Sequence, residues 1–474
     1  MPSKTESMTV TVPTNCDIFC NVIDNFGDIG VCWRLARQLA NEHGLSVRLW
    51  VDDLNSFAML CPEADAAVEK QQCRGVEVRR WRKEFPEVQP AGLVIEAFAC
   101  KLPESYVAAM AKIAEQSDRQ AKMYARRQSL GEHDSTLQYS ESDEAATNNA
   151  DALLVGREPV WINLEYLSAE DWVESHHKLP SPHPTLPLTK YFFFPGFTRQ
   201  TGGLLLERDL LARRDAFQGE IGRQQTFWNS VGMEMPPDWA LKISLFGYEN
   251  TSLPGLFDAW AAGAQPILCL VPEGRILPQV GQYFGDPAPR VDKDYLQGNL
   301  HVRVLPFVEQ ERYDELLWAC DVNFVRGEDS FVRAIWAGCP FVWQIYPQHD
   351  SVHLKKLQSF LILYGERLGQ SAGRAVAGLW QAWNSGCDTL LAKPADCGSS
   401  RKTASRRGEE LPLKLRGGFE GEAGQAWAAF AAEFGEINGR TRDWARQLSE
   451  NNLALNILDF SREIGRMRAS KIEG

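Results

Sequence analysis

The chain has 474 residues, with 44% apolar and 24% charged residues, which is typical of a globular protein of more than one domain. Its formal net charge of −12 argues against a nonspecific binder of nucleic acid or anionic membranes, because both need a basic surface. The N-terminal segment MPSKTESMTVTVPTN lacks the apolar run of a secretory signal, and no stretch reaches the length of a membrane span, so we expect a cytoplasmic protein.

The first predicted strand–turn–helix unit covers residues 16–40. Its apolar run, residues 16–23, predicts a buried parallel strand, and two glycines permit a tight turn before an amphipathic helix. Asp24 and Asp28 therefore follow the carboxyl end of a strand, where open α/β sheets bind ligands. For Asp28, an N-cap role fits the local pattern equally well. For Asp24, a hydrogen bond within its own turn is the alternative.

Short β-like runs alternate with helical patterns through the rest of the first half of the chain. The strand candidates are residues 46–51, 76–81, 93–98 and 160–164. This alternation predicts a mostly parallel sheet with helices on its faces. Residues 115–151 are polar and almost free of aliphatic clusters, so we predict a disordered surface insertion there.

A second alternating series begins near Ala240. Its strand candidates are residues 241–246, 265–272, 300–307, 321–326 and 340–347, and its helix candidates are 256–262, 313–319 and 331–337. Between the two series, the aromatic and Gly-rich residues 191–208 predict a connector packed against both halves. Residues 387–420 predict a second polar insertion, and residues 423–466 predict helices with apolar stripes.

These patterns predict an α/β protein with two doubly wound, Rossmann-like domains that face each other across a cleft. The N-terminal domain is expected to cover residues 1–195 and the second domain residues 196–440. Residues 441–474 form C-terminal helices, for which packing back on the N-terminal domain is one arrangement. The 11 cysteines show neither C-x-x-C pairs nor histidines at ligand spacing, and we interpret them as reduced core thiols.

The segment DVNFVRGEDSFVRAIWAG, residues 321–338, contains a second concentration of polar residues at a strand end. Arg326 and a helix start near Ser330 would form an anion site. Glu328 and Asp329 would repel a phosphate, so ribose hydroxyls or a basic acceptor suit them better. A capped helix with a solvated charge cluster is the alternative. The glycine spacings of dinucleotide reductases and P-loop NTPases are missing, which disfavours both classes.

Two pairs of residues with base-binding chemistry follow neighbouring predicted strands of the second half. Phe246 and Tyr248 follow one strand, and Phe307 and Gln310 follow another. Aromatic rings at such positions can sandwich a base, and the glutamine amide can read its hydrogen-bonding edge. Core packing explains most aromatic residues equally well. The argument for a site is that these residues, Arg326 and the helix start all fall at one edge of one sheet.

Five long motifs carry a family resemblance. They are NVIDNFGDIGVCWRLARQLA, LWVDDL, WINLEYLSAE, YFFFPGFTRQTGGLL and CDVNFVRGEDSFVRAIWAGCPFVWQIYPQ. The chain resembles the bacterial elongation factor P arginine rhamnosyltransferase family over nearly its whole length, apart from the two polar insertions. The resemblance implies a GT-B fold and transfer of rhamnose from dTDP-β-L-rhamnose to a guanidino nitrogen of one arginine of elongation factor P, with inversion and without a metal or cofactor. The modification would activate that factor for the rescue of ribosomes stalled at polyproline.

The resemblance also implies residue roles. Asp24 and Asp28 would be the catalytic carboxylates of the acceptor side, and eight residues would bind the donor. Thymine-nucleotide contacts fall on Phe246, Tyr248, Phe307 and Gln310, and ribose and diphosphate contacts on Arg326, Glu328, Asp329 and Ser330.

A mechanism follows from these roles. Arginine is a poor nucleophile because its pKa exceeds about 12 and its lone pairs are delocalised. We assign Asp28 as the base and Asp24 as the group that orients the guanidinium. Two alternatives remain open: a nucleotide-sugar epimerase or hydrolase of the same fold, and a non-catalytic module that binds a translation factor.

Overall fold

The structure, a computed structural model, describes residues 13–23, 26–129, 158–347, 352–391 and 422–473. The chain divides into two compact units. Unit 1 comprises Met1–Arg208 and Leu448–Gly474, and unit 2 comprises Asp209–Gln447. The sequence predicted domain boundaries after residues 195 and 440, whereas the compact units divide after Arg208 and Gln447. Within the described residues, no helix has the length and apolar character needed to cross a bilayer.

Unit 1 is built on an eight-stranded sheet of order β3-β4-β2-β1-β5-β6-β8-β7. The strands are β1 (Asn15–Cys20), β2 (Ser46–Val51), β3 (Lys70–Cys73), β4 (Val76–Arg80), β5 (Leu93–Ala97), β6 (Val160–Leu164), β7 (Pro180–Pro182) and β8 (Thr189–Phe193). The helices of this part are α1 (Gly27–Asn41), α2 (Leu54–Leu60), α3 (Glu104–Ser129) and α4 (Trp172–His176). Six strands run parallel, and β3 and β7 add antiparallel edges.

Unit 2 is built on a six-stranded sheet of order β11-β12-β10-β9-β13-β14. The strands are β9 (Leu241–Leu245), β10 (Ile267–Pro272), β11 (Asp294–Gln297), β12 (Leu300–Leu305), β13 (Val322–Arg326) and β14 (Phe341–Gln344). The helices are α5 (Leu210–Gly219), α6 (Ile221–Ser230), α7 (Leu253–Ala262), α8 (Leu277–Tyr283), α9 (Gln310–Ala319), α10 (Asp329–Ala337), α11 (Val352–Gly365), α12 (Gln370–Leu391), α13 (Glu422–Ala432) and α14 (Phe434–Leu448). The last helix, α15 (Leu453–Glu473), belongs to unit 1.

The apolar runs of the sequence form the centres of both sheets. In β1, the residues from Cys16 to Cys20 are all buried, as are all residues of β10 and β13. Such continuous burial is typical of parallel strands that are covered by helices on both faces. The predicted α/β class with two doubly wound domains is therefore confirmed. The nine cysteines with described side chains are free thiols, and eight of them are buried, in agreement with the prediction.

One prediction was wrong for residues 115–129, which we expected to belong to a disordered insertion. They continue α3, which ends at Ser129. Their charged side chains favour a helix because they pair at i,i+4 spacing, Arg119 with Glu115 and Lys122 with Asp118. The remainder of that segment, residues 130–151, lies outside the described residues, as do residues 392–420 of the second predicted insertion. Residues 387–391 of that insertion are helical, at the end of α12.

The predicted connector at residues 191–208 also needs correction at its start. Tyr191, Phe192 and Phe193 form the end of β8 and pair with β6. Aromatic residues fit this half-buried strand well, so the aromatic run indicated sheet rather than connector.

Candidate functional site

The strand order of unit 2 defines where a ligand would bind. From β9 the sheet extends through β10 to β12 on one side and through β13 to β14 on the other. The switch point therefore lies between the carboxyl ends of β9 and β13, and doubly wound sheets bind ligands at such points. Phe246 and Tyr248 follow β9, and Arg326 is the last residue of β13.

These three residues form a stack at the switch point. The Arg326 guanidinium carbon lies 4.5 Å from the ring centroid of Phe246 and 4.6 Å from that of Tyr248. Both distances are within the range of cation–π attraction. Arg326 is only 4% exposed, so its charge is largely removed from water. The arrangement places a buried, fixed positive charge where a ligand of this sheet would lie.

The turn after β13 leads directly into α10. Gly327 has a φ of +63°, a left-handed conformation that glycine adopts without strain. Glu328 occupies the N-cap position, but its side chain makes no capping hydrogen bond. The Ser330 hydroxyl accepts a hydrogen bond from the Arg326 N–H and donates one to the Arg326 carbonyl. Ser330 thus fixes the turn, and the capped-helix alternative for this segment is not observed.

Gln310 connects the end of β12 to the same turn. It begins α9, is buried, and its Nε2 donates to Oδ2 of Asp329 across 3.4 Å. Phe307 lies between β12 and α9 and is half-buried. The structure therefore brings Phe246, Tyr248, Gln310, Arg326, Asp329 and Ser330 into one connected cluster, with Glu328 in its turn and Phe307 on its flanking loop.

Sequence reasoning missed Tyr313, three residues after Gln310 in α9. Its ring packs edge-on against Phe246, with 5.6 Å between the centroids. Burial raises its pKa, and the charges of Asp329 and Arg326 act on it as well. The detectable signal was its i+3 spacing from Gln310, which places both side chains on one face of a helix.

In unit 1, Asp28 lies in the first turn of α1 and is 3% exposed. Its Oδ2 accepts a hydrogen bond from the Ile23 N–H at 2.9 Å. The N-cap of α1 is Phe26, so the N-cap interpretation of Asp28 is wrong. Asp24 lies outside the described residues.

The strand before Asp28 is shorter than predicted, because β1 ends at Cys20 and Ile23 is 65% exposed. Two carboxylates hold residues 21–23 away from the sheet. The Asp28 carboxylate accepts a hydrogen bond from the Ile23 N–H, and Oδ1 of Asp52 accepts one from the Val22 N–H, both at 2.9 Å. Hydrogen bonds from residues 21–23 to Asp28 of α1 and to Asp52, which follows β2, therefore fix the position of this loop.

A strained segment follows β5, the neighbour of β1 at the switch point of unit 1. Phe98, Ala99 and Lys101 have φ values of 56°, 54° and 56°. Non-glycine residues rarely adopt this left-handed conformation, and it concentrates at functional sites. The Cys100 thiol donates to the Phe19 carbonyl of β1 at 3.3 Å, which ties this segment to the strand before Asp28.

Glu96, at the end of β5, holds the strained segment in place and was also missed from the sequence. It is 2% exposed and accepts hydrogen bonds from the Lys101 N–H at 3.1 Å, the Trp161 indole at 3.1 Å and the Lys190 ammonium at 3.2 Å. The three donors satisfy this buried carboxylate, which would be costly to bury without hydrogen bonds. In the sequence, Glu96 could have been noticed as the single acidic residue within the apolar run LVIEA.

Neither cluster resembles a metal centre. Within the part of the chain that the structure describes, no three His, Cys, Asp or Glu side chains converge as metal ligands would. The positive charge near the switch point of unit 2 comes from Arg326, and the Arg275 guanidinium carbon lies 5.3 Å from the ring centroid of Tyr248.

Comparisons with known proteins agree with these observations. The family model described as Elongation-Factor P (EF-P) rhamnosyltransferase EarP matches residues 16–120 and 142–462. A protein-arginine rhamnosyltransferase of Pseudomonas putida is 44% identical over 94% of this chain and 98% of its own length. One from Pseudomonas aeruginosa is 46% identical over 78% of this chain and 87% of its own. A solved structure, described as the structural basis for EarP-mediated arginine glycosylation of translation elongation factor EF-P, matches with a TM-score of 0.56 and 32% identity, over 94% of this chain and 98% of that chain.

Proposed function

This chain belongs to the EarP family of elongation factor P rhamnosyltransferases, and from that membership we propose that it transfers rhamnose from dTDP-β-L-rhamnose to one arginine of elongation factor P. Its fold is of the GT-B type, as the sequence analysis predicted. In our proposal the transfer inverts the anomeric carbon by direct displacement, uses no cofactor, and takes place in the cytoplasm on a translation factor that it activates. Neither nucleic acid nor a membrane is a partner in this proposal.

The observation that carries the donor side is the buried Arg326 stack beside the start of α10. A diphosphate at the carboxyl ends of β9 and β13 would meet the guanidinium and the N–H groups of the first turn of α10. Both groups attract negative charge, and that charge increases as the sugar leaves. They stabilise the departing dTDP without a divalent cation, so we propose that transfer is metal-independent.

The nucleoside end of the donor is assigned to the residues around the stack. In the proposal, Phe246, Tyr248 and Phe307 contact the thymine, and Gln310 reads its hydrogen-bonding edge. Glu328 and Asp329 accept the ribose hydroxyls, because hydroxyl donors suit carboxylates whereas phosphates would be repelled by them.

The acceptor side requires a base, because an arginine side chain is protonated at all physiological pH values. Asp28 is suited to this role because it is buried and fixed by the Ile23 N–H, so its carboxylate has one defined position. We propose that Asp28 removes a proton from the guanidinium as attack proceeds, while Asp24 orients the planar group by a paired charge-assisted interaction.

A donor-turnover assay tests this proposal against the epimerase and hydrolase alternatives. The protein is incubated with dTDP-β-L-rhamnose, with and without elongation factor P, and the nucleotide and sugar products are separated. We expect dTDP to accumulate only with elongation factor P, and not with a factor whose acceptor arginine is replaced by lysine. Free rhamnose or an epimerised donor formed without the protein acceptor would contradict the proposal.

A further inference from the structure

Tyr313 has a polar group that the rest of unit 2 does not use. The residue is 8% exposed, its ring packs against Phe246, and its hydroxyl oxygen is buried. Among the residues that the structure describes, none forms a hydrogen bond with this oxygen. A buried hydroxyl without a partner costs free energy and is rare in folded proteins.

The neighbouring side chains have their hydrogen bonds elsewhere. Ser330 is near enough to oppose the effect of burial and lower the pKa of Tyr313, but it is not in hydrogen-bond geometry with the Tyr313 hydroxyl, and its own proton is donated to the Arg326 carbonyl. The carboxylate of Asp314 receives two hydrogen bonds from Arg333, both of 2.7 Å. No described side chain holds the proton of Tyr313 Oη in hydrogen-bond geometry, so a group that enters the cluster from outside can accept it.

The surroundings indicate what that group would be. The Tyr313 ring packs against Phe246, whose ring centroid lies 4.5 Å from the Arg326 guanidinium carbon, so Tyr313 borders the Arg326 stack. Burial raises the pKa of Tyr313, which keeps the hydroxyl protonated and thus a donor near neutral pH. A neutral donor next to a buried guanidinium and a helix start complements an anionic oxygen.

We propose that Tyr313 is a further donor-binding residue, whose hydroxyl donates a hydrogen bond to a non-bridging oxygen of the nucleotide-sugar diphosphate. This inference rests on the proposed function, because it takes the diphosphate to bind at the Arg326 stack. It differs from a core-packing role in one respect that can be measured. The hydroxyl gains its partner only when the ligand binds, so removing it weakens binding without weakening the free protein.

The test compares two tyrosine-to-phenylalanine variants of the full chain. Tyr313→Phe removes the unpaired hydroxyl. Tyr364→Phe is the matched control, because Tyr364 is also buried but its hydroxyl is paired with Thr441. For each protein, the melting temperature is measured without ligand, and the affinities for dTDP and for thymidine are measured by calorimetry.

We expect Tyr313→Phe to bind dTDP roughly tenfold to a hundredfold more weakly, the usual range for a lost hydrogen bond to a charged group. Thymidine affinity and the ligand-free melting temperature should not fall. Tyr364→Phe should show the reverse, a lower melting temperature with unchanged dTDP affinity. Unchanged dTDP affinity in Tyr313→Phe, or a lower ligand-free melting temperature, would overturn the role of Tyr313. Failure of the wild-type protein to bind dTDP would instead contradict the proposed function.

Discussion

At the residue scale, Asp28 and Arg326 are alike: each is a buried polar group held by its neighbours, Asp28 in the first turn of the helix after β1 and Arg326 at the end of β13. The Ile23 N–H fixes the carboxylate, and two aromatic rings fix the guanidinium. Burial is unfavourable for an isolated charge. A charge that is nevertheless fixed at a switch point is therefore a good candidate for catalysis or ligand binding.

Asp28→Asn tests the assignment of the base. Asparagine keeps the shape and can still accept the Ile23 hydrogen bond, but it cannot take a proton. We expect rhamnosylation to slow by about 10²–10⁴-fold with little change in donor affinity. Time courses of modification and dTDP calorimetry measure the two quantities. Asp52→Asn is the control, because Asp52 holds the same loop but is exposed. Turnover close to wild type in Asp28→Asn would refute the assignment.

Arg326→Lys tests the donor role of the stack. Lysine keeps the charge but loses the planar group that lies between Phe246 and Tyr248 and can grip two phosphate oxygens. We expect dTDP affinity to fall by roughly 10–100-fold, while binding of elongation factor P is retained. The control is Arg275→Lys, because the Arg275 guanidinium also contacts the Tyr248 ring but pairs with Glu249. Normal dTDP affinity in Arg326→Ala would remove Arg326 from the diphosphate site.

Sequence reasoning found Arg326 because it stands in a dense polar turn between an apolar strand and a helix. It missed Glu96, a single acid inside an apolar strand, and Tyr313, a single aromatic residue in the polar first turns of α9. Their importance depends on contacts with Lys190 and Phe246, which are distant in sequence. Contacts between residues that are far apart in the chain cannot be predicted from local sequence patterns.

At the scale of elements, the central parallel strands were predictable and the edge strands were not. β2 and β6 have the predicted bounds because β2 is mostly buried, β6 is entirely buried, and both have clear breaks at their ends. β3, β7 and β11 are short and mostly exposed, and they are held by antiparallel pairing with one neighbour. Such strands lack the periodic pattern of apolar residues by which a strand is recognised in a sequence.

Gly203→Ala tests how α15 is attached to unit 1. Gly203 has a φ of +78°, and an added Cβ would collide with the Asn451 carbonyl. Nearby, the Leu204 N–H donates to the same carbonyl, and Asn456 Nδ2 donates to the Gly202 carbonyl at 3.0 Å. We expect the substitution to lower the free energy of unfolding by roughly 2–4 kcal/mol, measured by denaturant titration.

Gly219→Ala is the matched control for this experiment, because an added Cβ there meets no atom within 4 Å. It should change the free energy of unfolding by less than about 1 kcal/mol. A Gly203→Ala protein as stable as this control would show that the contact with Asn451 contributes nothing to the attachment.

His177 gives unit 1 a pH-dependent contact. Its Nδ1 accepts the Phe194 N–H at 3.1 Å, just beyond β8. Burial, and then the charge of Lys178, lowers its pKa to about 4. The unfolded chain binds the proton near the ordinary value of about 6.5. Stability is therefore fully present above pH 6.5 and is lost as the pH falls towards 4.

A comparison with His177→Asn isolates this effect, because asparagine can accept the same hydrogen bond without titrating. Between pH 6.5 and pH 5, we expect the wild-type melting temperature to fall by about 2–4 °C more than that of the variant. Equal pH dependence of the two proteins would contradict the assignment.

At the scale of the whole molecule, two doubly wound units each place a charged cluster at the switch point of their own sheet. The alternation of strands and helices predicted this class. The return of α15 to unit 1 depends on pairing between Leu204 and Asn452, which are far apart in sequence, so local pattern left the position of the C-terminal helices open.

The proposed metal independence concerns the whole catalytic arrangement. In that proposal, Arg326 and the start of α10 supply the positive charge that a divalent cation would otherwise bring to the diphosphate. We expect full activity in excess EDTA with metal-stripped substrates. Complete loss that Mg²⁺ restores would contradict the assignment of Arg326 and Ser330 to charge neutralisation.

The most direct test of the account is the intact mass of elongation factor P after incubation with this protein and dTDP-β-L-rhamnose. We expect the mass to increase by one deoxyhexosyl residue, and fragmentation to locate that residue on a single arginine. Asp28→Asn should give almost no product in the same time. An unmodified factor after complete consumption of the donor, or a sugar on a residue other than arginine, would contradict the account.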